Sequence, residues 1–355
     1  MRTKISFSLL LLVVLCSCAT YRKQPWTEAV YEKGNVYILD GVETLKTADL
    51  FTAHGTFEKS TWSVRREFRI YKYPDSNSVL SKIVQKNDNC DNSYYDYFAG
   101  DGTLTVCYEN WDDSKIQNLT TRKSFSTGGL FANIRQAQCR YALVWDCNHD
   151  PERYFIFDKK TGKSTKLTSK ALGFIGDQTN TRFFISPDGT QIFRCAMEKL
   201  SKETPLWTLK QEQFSCVVEV WDLNQEKTLM KSPAILISES AFDWPEVLYT
   251  QMTGDKLFVL FRDRPVDSNG SAIKTGCLIK EAIVTPNGYE LKDLYSANEP
   301  LPNPNVIGDD FDNVTLFSSV VDKDYKLVER SWRLSQYNLN TGACLRQETI
   351  KLPDK

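Results

Sequence analysis

The stretch Val220-Trp221-Asp222-Leu223-Asn224-Gln225-Glu226-Lys227 joins an apolar run to a polar turn through an aromatic residue and an acid. The stretches from Ile156 to Lys163 and from Gln336 to Gly342 have the same order, with Asn338 in place of the acid. Short apolar runs rich in β-branched and aromatic residues are typical of buried strands, and a polar turn after each one predicts a hairpin. The three stretches therefore predict a repeated unit of strand, turn and strand in an all-β protein.

The spacing of these units predicts a β-propeller. With weaker copies near Leu39, Tyr73, residues 115–120 and Val284, the intervals run from about 35 to 65 residues, near the roughly 40–50 residues of a four-stranded blade. A small sheet that is apolar on both faces cannot bury itself, so neighbouring sheets must stack around an axis. Six or seven blades fit a chain of 355 residues. A pair of β-sandwiches is the alternative, because it also uses many short strands.

A family resemblance points to the same architecture. The stretch Ile185-Ser186-Pro187-Asp188-Gly189-Thr190-Gln191-Ile192 resembles the Ser-Pro-Asp-Gly-Lys signature of TolB-type and related WD-repeat-like propellers. In those proteins the signature turns the chain between the first two strands of a blade. Trp145-Asp146 and Trp221-Asp222 resemble the dipeptide that names the WD repeats. The resemblance implies a propeller over residues 27–355 and no particular activity, because propellers host many functions.

The N-terminus predicts export. Arg2 and Lys4 precede an apolar run from Ile5 to Leu15, which has the length of the hydrophobic region of a signal peptide. As a helix this run covers about 16 Å, well short of the roughly 30 Å of a hydrocarbon core. The run is therefore interpreted as a signal and not as a membrane span.

The next residues resemble a lipobox. Leu15-Cys16-Ser17-Cys18 is similar to the cleavage site of bacterial lipoproteins. The resemblance implies a signal peptide over 1–17, acylation of Cys18 with chains such as palmitate, and a tether over 18–26. Several acyl chains hold a protein on a membrane stably. The residue after Cys18 is Ala19 and not Asp, which implies the outer membrane of a bacterial envelope, facing the periplasm or the cell surface. A plain secretory signal with incidental cysteines is the alternative.

Eight further cysteines follow Cys18, and an exported domain allows them to form disulfides. Eight cysteines can pair in 105 ways, so the sequence alone does not determine the pairing. If residues 191–199 and 214–222 are antiparallel neighbours, Cys195 and Cys216 lie nearly opposite each other, and we expect them to form a disulfide or a pair of buried thiols. The sequence has no C-x-x-C motif, and His54 and His149 are its two histidines. No metal site is therefore expected.

Charge and motifs restrict the functions. The chain has 44 Lys and Arg against 45 Asp and Glu, a net charge of −1, which excludes nucleic acid as a first expectation. No nucleophile elbow, phosphate loop or H-E-x-x-H motif occurs, so no catalytic residue or cofactor is predicted. Acidic residues around Cys90 and in 308–313 offer oxygen ligands for calcium, although neither group follows an EF-hand loop, and solvated turns are the simpler interpretation. The acidic residues around Cys90 are Asp88, Asp91, Asp96 and Asp101.

Candidate binding residues are aromatic or arginine, because these residue types dominate interface hot spots. They are Tyr94, Tyr95, Tyr97, Arg262 and Arg264. We predict a membrane-anchored propeller that binds or scaffolds a protein or glycan through the loops around its channel. The alternatives are a propeller hydrolase or lyase acting on glycans or peptides, and a structural envelope lipoprotein.

Overall fold

The computed structural model describes most of the chain after residue 19. The described residues are 20–51, 57–74, 77–86, 95–100, 103–109, 114–127, 130–131, 140–146, 153–176, 181–200, 212–241, 245–263, 278–294, 305–310, 312–322 and 326–352. No helix among them is long and apolar enough to cross a membrane.

The described strands form six antiparallel sheets, each built from consecutive strands. The first contains β1 (Thr20–Glu32), β2 (Asn35–Phe51), β3 (Phe57–Tyr73) and β4 (Asn77–Lys86). The second contains β5 (Tyr95–Gly100), β6 (Thr103–Glu109), β7 (Ser114–Asn118) and β8 (Ser124–Ser126). The third contains β9 (Leu130–Phe131), β10 (Tyr141–Asp146), β11 (Arg153–Asp158) and β12 (Lys163–Lys166).

A short helix, α1 (Ser169–Ile175), precedes the remaining sheets. The fourth sheet contains β13 (Thr181–Ile185), β14 (Gln191–Lys199), β15 (Glu212–Asp222), β16 (Lys227–Lys231) and β17 (Ile235–Ala241). The fifth contains β18 (Glu246–Thr253), β19 (Lys256–Asp263), β20 (Leu278–Thr285) and β21 (Gly288–Asp293). The sixth contains β22 (Asn305–Asp310), β23 (Asn313–Val321), β24 (Leu327–Asn338) and β25 (Cys344–Lys351).

The sheets are arranged as a β-propeller. Their first strands meet one another: β1 contacts β5 and β22, while β18 contacts β13 and β22. Between the second and third sheets, Ile116 packs in one cluster with Val144 and Phe157. First strands that touch around a common axis, with apolar clusters between neighbouring sheets, exclude the pair of β-sandwiches.

The prediction of six or seven four-stranded blades is wrong in its number of four-stranded sheets. Among the described sheets, five have four strands each, and the sheet of β13–β17 has a fifth strand. The reason is the length of β15, which has 11 residues. Its last residues pair with β16 and its first residues pair with β17, so one strand serves two partners on the same edge.

The repeated turns have one cause. Asp222 Oδ1 accepts hydrogen bonds from the backbone N–H groups of Asn224 and Gln225, both at 2.8 Å. Asp158 and Asn338 end their strands in the same way, with side-chain oxygens that accept from backbone N–H groups of the following turn. A short carboxyl or amide side chain at this position thus closes the turn between the last two strands of a blade. This explains the sequence repeat.

The signature turn also lies where the resemblance implied, between β13 and β14. Asp188 accepts from the backbone N–H of Thr190 at 3.1 Å. Gly189 has φ +74°, and a Cβ on it would lie 2.8 Å from the ring of Tyr141 in the preceding sheet. A glycine is therefore required both by the left-handed backbone and by the close packing of two sheets.

Residues 20–26 do not form the expected tether. They are the first half of β1 and pair with β2, from Thr20 opposite Thr47 to Trp26 opposite Gly41. The reason is that β2, with 17 residues, offers backbone partners along the whole of this segment. Cys18 itself lies outside the described residues.

The first and sixth sheets are joined by side chains. Among the described strands, none of β1–β4 pairs with any of β22–β25. Instead, Arg330 Nη1 lies 2.9 Å from Asp40 Oδ2, with side chains 14% and 7% exposed. Nearby, Tyr73 Oη donates to Glu348 Oε2 at 2.7 Å. Arg330 has φ +53°, which a non-glycine residue rarely adopts. A buried ion pair therefore joins these two sheets, together with an apolar cluster that contains Ile38 and Trp332.

We predict that Arg330→Met lowers the free energy of unfolding by roughly 3 kcal/mol, because it leaves the Asp40 carboxylate buried without its partner. Urea denaturation of the purified chain measures the change. Asp40→Asn added to Arg330→Met should recover part of the loss, since no charge then stays buried. The control is Lys231→Met in the fourth sheet, where a 66%-exposed lysine pairs with Glu219. It should cost less than about 1 kcal/mol, and equal losses for both single variants would contradict the role of the seam.

Candidate functional site

Three charged side chains meet where two first strands begin. Arg182 is the second residue of β13, and Glu246 is the first residue of β18. Arg182 Nη1 donates to Glu246 Oε1 at 2.7 Å, and Arg262 Nη2 donates to Glu246 Oε2. Arg262 lies opposite Glu246 in the register of β18 and β19. We call Arg182, Glu246 and Arg262 the channel-end cluster, because the first strands surround the channel.

The channel-end cluster carries a net positive charge. Each carboxylate oxygen of Glu246 contacts one guanidinium, and the carboxylate is only 12% exposed. Two arginines against one glutamate leave a charge of +1. Arg182 keeps 37% of its side chain exposed, so the positive side of the cluster is open to solvent. A planar guanidinium held in place by a carboxylate is suited to bind a second acidic group.

A buried ion pair lies next to this cluster. Asp263 follows Arg262 and is 1% exposed, and Lys280 Nζ lies 3.0 Å from its Oδ2. Lys280 also donates to the carbonyl oxygen of Ile237 at 2.8 Å. The pair is neutral overall, so it leaves the positive charge of the channel-end cluster unchanged. Glu246 and Asp263, two of the described carboxylates at this end of the fifth sheet, are therefore engaged by cations.

Some sequence-predicted binding residues lie at this end of the channel. Arg262 belongs to the cluster. Tyr95 begins β5, the first strand of the second sheet, so its backbone lies at the same end of the channel as Glu246. Tyr97 follows two residues later in the same strand. Tyr94 and Arg264 lie outside the described residues. The sequence analysis missed Arg182 and Glu246, which are brought together from strands 64 residues apart.

The predicted calcium ligands are only partly described. Asp88, Asp91 and Asp101 lie outside the described residues, so the first acidic group stays a prediction. Within the described residues, no three His, Cys, Asp or Glu side chains come together as candidate ligands for a metal ion.

Cys195 and Cys216 lie on neighbouring strands, as expected, but they are offset. Cys195 is opposite Val218, and Cys216 is opposite Met197. The two cysteines therefore share a sheet face on a diagonal, where their side chains form a hydrogen bond. Both are buried free thiols in the structure, and burial raises the pKa of Cys195. The disulfide stays a prediction.

One further carboxyl group is buried away from the cluster. Glu281 in β20 is fully buried, and neither carboxyl oxygen has a hydrogen-bond partner in the structure. It shares its sheet face with Ile279 and Ile283, which pack against Val314 and Leu316 of the sixth sheet. Desolvation by this apolar surrounding raises the pKa of Glu281 to about 8. Because Glu281 is fully buried, it cannot contact a substrate. Its raised pKa affects the stability of the fold instead.

The chain has little similarity to known proteins. No family model and no curated protein matches it. An acylaminoacyl peptidase of Pyrococcus horikoshii is 11% identical with a TM-score of 0.39, over 73% of this chain and 39% of that chain. The β-propeller domain of the trilobed protease of Pyrococcus furiosus is 12% identical with a TM-score of 0.37, over 73% and 70%. An oligogalacturonate lyase of Vibrio parahaemolyticus is 10% identical with a TM-score of 0.33, over 77% and 82%. These values assign no family and no activity.

We predict that Glu281→Gln stabilises the protein at neutral pH. The folded-state pKa of Glu281 is raised to about 8 from 4.5, so its contribution to stability is fully present below pH 4.5 and is lost as the pH rises through 8. The variant removes this loss. It should gain roughly 3 kcal/mol at pH 7 and less than about 1 kcal/mol at pH 5.

Urea denaturation at pH 5, 7 and 8 measures the gain. The control is Glu198→Gln, an exposed glutamate in β14, which should show no such pH dependence. A gain for Glu281→Gln that is the same at all three pH values would show that the carboxyl group does not titrate with a raised pKa.

Proposed function

We propose that this protein is an exported, lipid-anchored β-propeller that binds an acidic protein or glycan ligand at the channel-end cluster. The observation that carries the proposal is the position of Glu246 between two guanidinium groups, where the first strands of two sheets begin. The ligand supplies carboxylate or similar acidic groups.

The arrangement favours binding because the arginines are held in place before a ligand arrives. Glu246 fixes both guanidinium groups, which reduces the side-chain entropy that binding costs. The carboxylate is only 12% exposed, so it competes weakly with a ligand that approaches from solvent. The net charge of +1 attracts an anion, and the 37%-exposed Arg182 is the first side chain that it meets.

The geometry favours binding over hydrolysis. A glycosidase needs two carboxyl groups about 5–9 Å apart, one as acid and one as nucleophile or base. Two described carboxylates at this end of the fifth sheet, Glu246 and Asp263, are each paired with a cation, and a third, Asp293, is exposed on the outer strand β21 opposite Lys280. Both oxygens of Glu246 accept hydrogen bonds from arginine guanidinium groups, an arrangement that does not suit a general acid. A hydrolase or lyase would have to draw its acid from another part of the chain.

The lipid anchor adds an orientation to this proposal. Acylation at Cys18 would attach the membrane two residues before β1 begins at Thr20. The first strands of the sheets run in one direction, as the contact between the starts of β13 and β18 indicates. The anchored end of β1 and the channel-end cluster would then both face the membrane, in the outer membrane of a bacterial envelope. The ligand would be a component close to that surface.

We predict that acidic polymers bind and neutral polymers do not. The probes are poly-L-glutamate and alginate, with poly-L-glutamine and dextran as their neutral counterparts, titrated by calorimetry. Arg182→Gln and Arg262→Gln should each weaken binding of an acidic probe at least tenfold, because each removes one guanidinium. The control is Arg122→Gln, an exposed arginine next to the turn between β7 and β8. Equal affinity in all three variants, or equal binding of neutral polymers, would refute the assignment.

We predict that lipidation depends on Cys18. The chain, expressed in a bacterium fed with an alkynyl palmitate, should carry the label and sediment with membranes. Cys18→Ala should lose both properties, while Cys16→Ala keeps them. If only Cys16→Ala loses the label, Cys16 and not Cys18 is the acylated residue. If the unchanged chain carries no label either, the N-terminus is a plain secretory signal.

A further inference from the structure

We propose that the first sheet carries a second binding site, for an elongated organic molecule with an acidic group at each end. The site is a cavity of about 420 Å³ on one face of β1, β2 and β3. Its size lies in the range of small-molecule sites, which is about 300–1,000 Å³. It is separate from the channel-end cluster, because all of its lining residues belong to the first sheet.

The register explains which residues share this face. Lys23, Thr44 and Arg65 are opposite one another on the three strands. Four residues further along, Asp40 is opposite Arg69. Side chains of directly opposite residues, and of residues two or four positions away, point to the same side of a sheet. Lys23 and Arg69 therefore line the same cavity from two different strands.

The ion pairs on this face leave two cations in excess. Asp40 lies opposite Arg69, yet its carboxylate contacts Arg330 of the sixth sheet. Glu67 pairs with Arg65 at 2.6 Å. Within the described part of the chain, Lys23 and Arg69 take part in no ion pair. The charges of the lining alone sum to zero, but with Arg65 and Arg330, the partners of its two acids, four cations face two acids and the local sum is +2, which favours a dianion.

The two cations lie at opposite ends of the cavity. Their Cα atoms are separated by two strand spacings, roughly 10 Å, and by four residues along the strands, roughly 13 Å. Val42 on β2 lies between them, the Glu67–Arg65 ion pair lies beside it on β3, and Thr44 provides a hydroxyl next to Lys23. The ring of Tyr71 adds apolar lining beyond Arg69. This pattern fits an acidic group at each end of a largely apolar chain. A short dicarboxylate has this form.

The cavity also adjoins the seam of the propeller. Asp40 lines the cavity and contacts Arg330 across the seam. A molecule bound here stabilises the folded chain by mass action. Because Asp40 contacts Arg330, this stabilisation extends to the sixth sheet, which closes the ring. Binding is therefore expected to raise the melting temperature as well as to release heat on titration.

The test uses the six-carbon dicarboxylate adipate on the full chain. Hexanoate and 1,6-hexanediol have the same chain length with one acid and with none, and they serve as matched ligands. We expect saturable binding of adipate by calorimetry, at least tenfold weaker binding of hexanoate, and none of hexanediol. Lys23→Gln and Arg69→Gln should each weaken adipate binding at least tenfold. Both residues are exposed, so neither variant disturbs the fold.

The matched control is Arg22→Gln, an exposed arginine adjacent to Lys23 that points to the other face of β1. It should bind adipate as the unchanged chain does. Absence of saturable adipate binding, or the same affinity in Lys23→Gln, Arg69→Gln and Arg22→Gln, would overturn the proposal. Adipate is also titrated against the double variant Arg182→Gln and Arg262→Gln, which removes the binding of acidic groups proposed for the channel-end cluster. Adipate binding that persists there and is lost on adding Lys23→Gln reports the cavity of the first sheet alone, so the two proposals can fail separately.

Discussion

The structure depends on the need of each small sheet to bury two apolar faces. In the fifth sheet, Val259 and Phe261 pack toward the fourth sheet, while Phe258 and Leu260 pack toward the sixth. No such sheet is stable alone, because either face would expose apolar surface to water. Each sheet therefore requires two neighbours, and a ring provides them for all. The first and sixth sheets complete the ring through side chains, with Asp40 and Arg330 at the seam.

The same packing decides where charge is tolerated. Between sheets, an unpaired charge is costly, and the buried Glu281 responds with a raised pKa. At the channel end, charges occur in matched groups: Glu246 with two arginines, and Asp263 with Lys280. Among the described residues, the two arginines of the channel-end cluster lie beside the open end of the ring. The candidate site thus lies where side chains are no longer packed between two sheets.

The local parts of this fold were predictable. The turn residues Asp158, Asp222 and Asn338 act on their own neighbouring backbone, so their role is visible in a few consecutive residues. The signature around Gly189 has the same local character. The length of β1 was not predictable in this way. Residues 20–26 are polar and resemble a tether, and they become a strand because β2 supplies partners from 15 to 27 residues later.

The candidate site was predictable only in part. Arg262 stood out at the end of an apolar run, whereas Arg182 and Glu246 each resemble ordinary polar residues at the start of a strand. By itself the sequence determined the all-β class, the repeated hairpins and the export signal as a prediction, because these depend on residue order over short distances. Only the tertiary structure decided the sheet count, the offset of Cys195 and Cys216, and the charged groups at the channel end and on the first sheet. Each of these depends on contacts between residues far apart in the chain, and it is the closure of the ring that brings them together.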